Sequence, residues 1–185
     1  MRPTDEQLLR QARQGDTAAF HELIDRHGEN LFRLAYSLVG NRADAEDVAQ
    51  ETLMGAFEYM HGFEERSSVK TWLTRILMRQ AARCHRRRGR KHEEPIGTPD
   101  AWADDAPPDE SARRRMDVRG ALDRLSPDHR EVVVLREFEG MSYSEMAEAL
   151  DVPQGTVESR LYRARQELKT LLRDYLPPQA DRGGS

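Results

Sequence analysis

The 185-residue sequence is short of several residue types and patterns. It contains one cysteine, Cys84, so no disulfide can form within the chain, and nothing points to an oxidising compartment. No apolar run approaches the roughly 20 residues that span a bilayer, and the first residues lack the features of a signal peptide. These deficits predict a cytoplasmic protein that is not inserted in a membrane.

Residues for enzyme chemistry are also scarce. The six histidines show no metal-ligand spacing with cysteine or paired carboxylates, and there is no phosphate-binding glycine loop. We therefore expect no catalytic residue, no metal and no cofactor, and an assay for hydrolysis or group transfer should stay blank. Cys84 lies beside His85 among arginines, so an oxidant-sensing thiol of lowered pKa is the alternative to an incidental cysteine.

Strand-like alternation is missing, whereas helical spacing recurs along most of the chain. Capping residues and glycines divide the first 90 residues into several helices that form one module, and the first helix begins at a capping box of Thr4 and Gln7. A second module contains Ser126-Pro127, an N-cap followed by proline at the first helical position of a helix through Phe138. The predicted fold class is all-α: two small helical domains, an N-terminal helical bundle and a C-terminal helix-turn-helix domain, joined by a flexible acidic linker.

Three expectations concern single helices of the first module. Asp16 begins a long helical stretch that is expected to be interrupted near Gly28. Either Ser67 or Ser68 begins the last helix of the module. In the helix between these two, five apolar residues can share one buried face. They are Val48, Leu53, Ala56, Phe57 and Met60.

Charge of one sign is absent from two long segments. Residues 66–91 carry ten basic residues and no acid, whereas residues 92–112 carry seven acids and no base. Residues 1–65 have 6 basic and 13 acidic residues and residues 113–185 have 13 of each, which together give the net charge of -4. Such segregation is typical of a chain that binds a polyanion with one part, although a solvated helix face beside a disordered tail has the same composition.

Residues 89–111, which include most of the acidic segment, are also rich in proline and small residues, and this composition predicts a linker. Its root-mean-square span would be roughly 25–30 Å. Because a turn of DNA is about 34 Å long, two modules so joined could engage one duplex a turn or two apart. The charges also allow the linker to fold back on the basic helix and weaken DNA binding in the free protein.

Residues 142–165 have the pattern of a helix-turn-helix. Ser142 and Glu145 form a capping box for a short helix, and residues 151–153 interrupt the chain before a longer helix begins at Gln154. The apolar residues Met146, Leu150, Val152, Val157 and Leu161 are spaced to close a small core between the two helices. This arrangement holds the second helix out toward a major groove. An ordinary helical hairpin with a charged outer face is the alternative.

The basic segment predicts a helix with an arginine stripe, because Arg75, Arg79, Arg83, Arg86 or Arg87, and Arg90 recur every three or four residues. Like charges so spaced repel one another, so a polyanion is their natural complement. Trp72 lies one turn before Arg75 and could stack on an unpaired base, or join Leu73 and Ile76 in the core. The preceding helix has acids in its first turns, which suit the helix dipole and alone indicate little more.

In combination, these segments resemble an extracytoplasmic-function (ECF) sigma factor of the sigma-70 family. Asp44 through Thr52, Phe63 through Leu73 and the arginine run resemble region 2 of such factors. Leu125 through Leu135 and Gly140 through Arg165 resemble region 4. The resemblance implies region 2 at residues 1–90, a linker at 91–112, region 4 at 113–176 and a disordered tail at 177–185.

The resemblance also implies a function and partners. The chain would bind core RNA polymerase through the beta-prime clamp helices and the beta flap, and direct initiation at promoters with minus-10 and minus-35 elements. It would help to melt the DNA, with the loop from Gly62 to Ser68 taking a flipped non-template base and the linker threading the polymerase. An anti-sigma factor is a further implied partner, and no membrane insertion is implied.

The residues that the resemblance implies fall into three sets. The polymerase-binding residues would be Asp44, Asp47, Gln50 and Glu51. Contacts to the minus-10 element would come from Phe63, Ser67, Lys70, Trp72, Arg75, Arg79, Arg83, Arg86 and Arg87. Contacts to the minus-35 element would come from Thr156, Glu158, Ser159, Arg160, Tyr162, Arg163 and Arg165. A repressor or activator that never joins polymerase is the alternative, but it leaves the acidic helix, basic helix and linker unexplained.

Overall fold

The computed structural model describes residues 2–91 and 118–173, with only the backbone described for residues 89–91. Both described parts are helical, and neither contains a strand, which confirms the all-α fold class. The predicted linker beyond residue 91, the proposed fold-back of that linker and the predicted tail lie outside the described residues. No helix in the described ranges is both long and apolar enough to cross a membrane.

The N-terminal part consists of four α-helices and a short connecting turn. They are α1 (Asp5–Arg13), α2 (Thr17–Val39), α3 (Arg42–Tyr59), a 3-10 turn (Met60–Gly62) and α4 (Val69–Lys91). The C-terminal part begins with helical residues 118–124, which we label α5. It continues with α6 (Pro127–Val133), a π-helical turn (Val134–Phe138), α7 (Tyr143–Leu150) and α8 (Gln154–Leu171).

Side-chain caps fix most helix starts where the sequence predicts them. The Thr4 hydroxyl accepts from the Gln7 amide while Gln7 Oε1 accepts from the Thr4 amide, and Ser142 and Glu145 repeat this box on α7. Of the two serines considered for α4, Ser68 is the cap, since its hydroxyl accepts from the Thr71 amide. These caps satisfy amides that have no partner within the helix.

Two local expectations for the first module are wrong. Helix α2 runs without interruption through Gly28, with buried residues both before it, at Leu23, and after it, at Leu31. It ends at Gly40, whose φ of 84° is left-handed and favours glycine. Phe57 is 49% exposed and so does not share the buried face of Val48, Ala56 and Met60.

The π-helical turn after α6 also departs from the sequence prediction of one regular helix to Phe138. Val134 and Leu135 within it are fully buried, and the extra residue per turn swings the chain into the loop before α7. Gly140 in that loop has a φ of 67°, and the Met141 amide donates to the Leu135 carbonyl. Periodicity places Val132 to Leu135 in the core but carries no signal for the wider turn.

A single hydrophobic core runs through both described parts. Buried residues of α2 and α4 lie in the same cluster as Val132 to Leu135, Met141 and Met146 of the C-terminal part. Helix α4 packs directly on α7, and α2 lies against α6 and the π-helical turn. The structure therefore describes the two helical modules docked on each other.

Candidate nucleic-acid interface

Helices α7 and α8 form the predicted helix-turn-helix. Met146, Val157 and Leu161 are almost completely buried, and Leu150 and Val152 pack against that core while partly exposed. The turn is fixed by the Val152 amide, which donates to the Ala147 carbonyl at 3.1 Å, and by Asp151 with a φ of 56°. This packing holds α8 across α7 with one long face toward solvent.

The solvent face of α8 presents the side chains that can read bases. Glu158, Ser159, Tyr162 and Arg163 are exposed, whereas Val157, Leu161 and Ala164 are buried beneath them. Tyr162 is 67% exposed, so its ring and hydroxyl are accessible on this face. These four residues combine hydrogen-bond donors and acceptors with an aromatic ring, as base-edge recognition in a major groove requires.

The other predicted residues of α8 have contacts within the module. Arg160 is 26% exposed and donates to Asp128 of α6 at 2.7 Å, so it faces inward. Arg165 pairs with Glu137 at 2.7 Å but stays half exposed. Thr156 is partly buried in the first turn of the helix, where its carbonyl accepts from the Ser159 hydroxyl. Arg160 thus differs from its predicted neighbours in its orientation.

The two aromatic residues predicted at the minus-10 site are buried. Phe63 and Trp72 are 6% and 7% exposed, with their ring centroids 5.1 Å apart. Of the two interpretations of Trp72, the structure places its ring in the core with Leu73 and Ile76. The exposed part of the neighbouring loop consists of polar residues, namely Glu64, Glu65, Arg66 and Ser68, with Ser67 partly exposed.

The arginine stripe of α4 is exposed over most of its described length. Arg79, Arg83, Arg86 and Arg87 are exposed and Arg75 is partly exposed, while the side chain of Arg90 is not described. Arg87 reaches Glu51 at 3.7 Å and Arg88 binds Asp44 at 2.9 Å, so the end of α4 is tied to α3. The stripe faces solvent in its middle and the acidic helix at its end.

The acidic helix α3 presents an exposed face that includes one apolar side chain. Asp47 and Gln50 are exposed and Glu51 is partly exposed, whereas Asp44 is held inward by Arg88 and Asn41. Met54 lies on the same face one turn after Gln50 and is 56% exposed. Met54 is not among the residues predicted from the sequence, although its position three residues after Glu51 and seven after Asp47 identifies the shared face.

Two neighbouring titratable side chains of α4 have pKa values that are shifted by burial. Cys84 is 2% exposed, and burial raises the pKa of its thiol, which is contrary to an oxidant-sensing role. Burial also lowers the pKa of His85, helped by the nearby Arg130 and Arg88. Within the described ranges, no cluster of histidine, cysteine and carboxylate side chains could hold a metal.

Polar contacts fasten the two modules beside their apolar interface. The Glu139 side chain is only 7% exposed, and its Oε2 lies 3.0 Å from Lys70 Nζ and 2.9 Å from Asn30 Nδ2. The Lys70 ammonium also donates to the Glu139 carbonyl at 2.9 Å. Arg79 approaches Asp151 at 3.8 Å. Two residues predicted to contact minus-10 DNA therefore face acids of the C-terminal module.

The C-terminal end of α2 is a second fastening point. Arg130 of α6 donates to the Leu38 carbonyl at 3.0 Å, and Arg119 of α5 donates to the Gly40 carbonyl at 3.0 Å. Arg88 of α4 donates to the intervening Val39 carbonyl at 2.9 Å. Guanidinium groups are favourable at this negative end of the helix dipole. Neither fastening point could be predicted from the sequence, because both join residues that are distant along the chain.

Both described parts of the chain match families of known proteins. Residues 23–91 match the family described as Sigma-70 region 2, and residues 115–168 match the family described as Sigma-70, region 4. The chain is 39% identical to the ECF RNA polymerase sigma factor SigE of Mycolicibacterium smegmatis, over 88% of this chain and 64% of that protein. It is 33% identical to the ECF RNA polymerase sigma-E factor of Haemophilus influenzae, over 90% of this chain and 94% of that protein.

A solved structure shows the same likeness. It is that of the sigma factor RpoE of Bartonella quintana in complex with the anti-sigma factor NepR, with 31% identity and a TM-score of 0.68. The likeness covers 88% of this chain and 98% of that one. The helix-turn-helix, the basic helix and these comparisons define a sigma factor that directs transcription. The chain belongs to the ECF sigma factors of the sigma-70 family.

Proposed function

We propose that this sigma factor brings core RNA polymerase to promoters that have minus-10 and minus-35 elements, and that it helps to open the DNA. The observation that carries the proposal is the outward face of α8, where Glu158, Ser159, Tyr162 and Arg163 are exposed above a buried core. A sequence-specific duplex reader needs such a face, and a sigma factor needs it beside a second DNA contact and a polymerase contact.

The proposed minus-35 contact is α8 in the major groove. Glu158, Ser159 and Arg163 would bind base edges, and Tyr162 would contact an apolar base edge or the backbone. Arg165 would exchange Glu137 for a phosphate, since its ion pair is half exposed and costs little to break. Arg160 would act indirectly by holding α8 on α6 through Asp128.

The proposed minus-10 contact combines the arginine stripe with the loop of residues 63–68. Arg79, Arg83 and Arg86 would neutralise phosphates. The loop would take a flipped non-template base against its exposed polar residues, above the buried Phe63 and Trp72 that support it. We assign these two rings a supporting role because their exposed area is too small for a stacking platform.

The proposed polymerase contact is the exposed face of α3. Asp47, Gln50 and Glu51 would pair with basic groups of the beta-prime clamp helices, and Met54 would add an apolar anchor at the centre of that contact. Asp44 would support this surface through Arg88. The C-terminal module would contact the beta flap, and the linker would pass through the polymerase between the two modules.

Binding to a promoter would require the modules to separate. Elements near positions -10 and -35 lie roughly 25 base pairs apart, or roughly 85 Å at about 34 Å per turn. A compact chain of this length is only about 40 Å across. Lys70 and Arg79 also face Glu139 and Asp151 in the docked arrangement. The docked form is thus suited to the free protein or to a complex with an anti-sigma factor, such as the partner named for the Bartonella quintana structure.

Transcription start mapping tests the proposal. Core RNA polymerase is incubated with the full chain and a library of genomic DNA fragments, and the 5′ ends of the transcripts are sequenced. We expect starts that depend on the chain and share two sequence elements upstream. Promoter-independent DNA binding without any such transcripts would instead favour a repressor or activator that reads DNA through α7 and α8.

A further inference from the structure

Arg13, the last residue of α1, reaches into the connection between α3 and α4. Its Nε donates to the Met60 carbonyl at 2.7 Å, and its Nη2 donates to the Phe63 carbonyl. The guanidinium also lies over the Phe63 ring, with its central carbon 5.7 Å from the ring centroid. The side chain is only 20% exposed. One planar group therefore binds both ends of the turn that leads into the loop of residues 63–68.

Few other contacts hold the N-terminal end of the loop, where it follows α3 and the 3-10 turn. Glu64 and Arg66 pair with each other while largely exposed, which contributes little. Glu65 has a φ of 55°, a conformation that costs a non-glycine residue free energy and persists only where surrounding contacts enforce it. The far end of the loop is fixed by the Ser68 cap of α4. The near end depends on Phe63 and on the group that holds it.

The Glu65 carboxylate also lies within ion-pair distance of α1. Its Oε1 lies 3.9 Å from Arg13 Nη1 and 3.8 Å from Arg10 Nε. Arg10 is more exposed than Arg13 and has no contact to the loop backbone among the described residues. The two arginines thus share the electrostatic contact to Glu65, and they differ in that Arg13 binds the backbone on each side of the turn.

We propose that Arg13 is a positioning residue for promoter recognition: through the Met60 and Phe63 carbonyls it holds the loop of residues 63–68 in the shape that selects the non-template base of the minus-10 element. This inference rests on the proposed function of that loop. Arg13 does not itself contact the base. Its fork geometry supplies two directed donors at once, which a lysine ammonium cannot reproduce with the same planarity.

The test compares Arg13→Gln with the matched control Arg10→Gln, which removes the same charge beside Glu65 without touching the loop backbone. The full-length variants are combined with core polymerase on a mapped promoter and on versions with each other base at every minus-10 position. At each position, the transcript yield from the original base divided by the yield from a substituted base gives a discrimination ratio. A set of minus-35 substitutions on the same promoter serves as the reference for general loss of activity.

We expect Arg13→Gln to lower discrimination about five- to tenfold at the position that the loop reads, which is less than the full effect of a charge-assisted hydrogen bond because Arg13 acts on the base only through the loop. Discrimination at the minus-35 element should be unchanged, and Arg10→Gln should stay within about twofold of the wild type. Arg13→Lys should restore part of the ratio, since its ammonium keeps the charge and can donate to one of the two carbonyls. Amides of residues 63–68 should exchange hydrogen faster in Arg13→Gln while those of α2 do not.

Two outcomes would overturn the inference. In the first, the wild type discriminates between bases at the minus-10 element, and Arg13→Gln and Arg13→Lys discriminate as well as the wild type does. The other is a loss of yield that is equal for all bases and for both elements, which is what simple destabilisation produces. If Arg13→Gln does not fold, the same two outcomes are judged on Arg13→Lys against Arg10→Gln. A wild-type protein without minus-10 discrimination would refute the proposed function of the loop instead.

Discussion

Glu131 shows how one side chain can tie the stability of the C-terminal module to pH. Burial on α6, together with the nearby Asp128, raises the pKa of its carboxyl to about 7, although Arg160 of α8 lowers it in part. Its ordinary value is 4.5, so the folded protein holds this proton more tightly than the unfolded chain does. Stability is therefore lost as the pH rises from about 4.5 to about 7.

We expect Glu131→Gln to remove this dependence. The amide has the same shape without a charge to bury, so the variant should be more stable than the wild type by about 1–3 kcal/mol at pH 8 and equal to it near pH 4.5. Denaturant unfolding at several pH values measures the difference. Glu29→Gln, a largely exposed carboxylate on α2, is the control and should leave the curve unchanged. Parallel curves for Glu131→Gln and the wild type would contradict this explanation.

At the scale of elements, α8 has a solvent face proposed to bind DNA and a second face that packs on α6. We expect Arg163→Ala to weaken minus-35 binding by about 1–3 kcal/mol and to relax base preference, because Arg163 faces solvent. Arg160→Ala should instead cost about 1 kcal/mol of folding stability through the lost contact to Asp128, with base preference retained. Binding to duplexes with single-base changes, combined with thermal unfolding, separates the two effects. Equal loss of base preference in both variants would contradict the assigned orientations.

The elements that could be predicted from the sequence are those with local signals. Capping boxes at Thr4 and Ser142 and the proline after Ser126 place three helix starts, and the spacing of Met146, Val157 and Leu161 gives the core of the helix-turn-helix. The solvent face of α8 follows from the same spacing. A short-range pattern is enough wherever one helix buries one stripe.

Other features depend on contacts that no local pattern records. The π-helical turn follows from the way Val134 and Leu135 enter the core, and the inward orientation of Arg160 depends on Asp128 of another helix. The sequence around Glu139 does not distinguish it from an exposed acid, and only its contacts with Asn30 of α2 and Lys70 of α4 show that it is buried. Arg13 is similar, since its acceptors are backbone carbonyls about 50 residues away along the chain.

At the scale of the whole molecule, Glu139 should control the docking of the modules. We expect Glu139→Gln to favour the separated form, because the buried carboxylate is matched by the Lys70 ammonium and the Asn30 amide. The radius of gyration should then rise above the roughly 16 Å of a compact chain of this length. Small-angle X-ray scattering measures the change, and affinity for minus-10 DNA should rise with it as Lys70 is released.

Glu137→Gln provides the control for that experiment. Glu137 lies two residues earlier and pairs with Arg165 of its own module, so its loss should leave the radius of gyration unchanged. The proposed role of Glu139 in docking fails if both variants remain as compact as the wild type at low salt. It also fails if both expand equally, since general loosening of the C-terminal module would then explain the result.

The fastening at the end of α2 bears on how such proteins diverge. Arg119 and Arg130 of the second module bind the main-chain oxygens of Gly40 and Leu38, and every sequence that continues the helix to this point supplies such oxygens. Drift in the side chains of the acceptor helix therefore leaves this part of the joint intact. Chimaeras that pair the first module of one such factor with the second module of another should retain this contact, provided that the second module carries both arginines. The surfaces proposed to contact the two promoter elements could then be recombined while the contact between the modules at the end of α2 is kept.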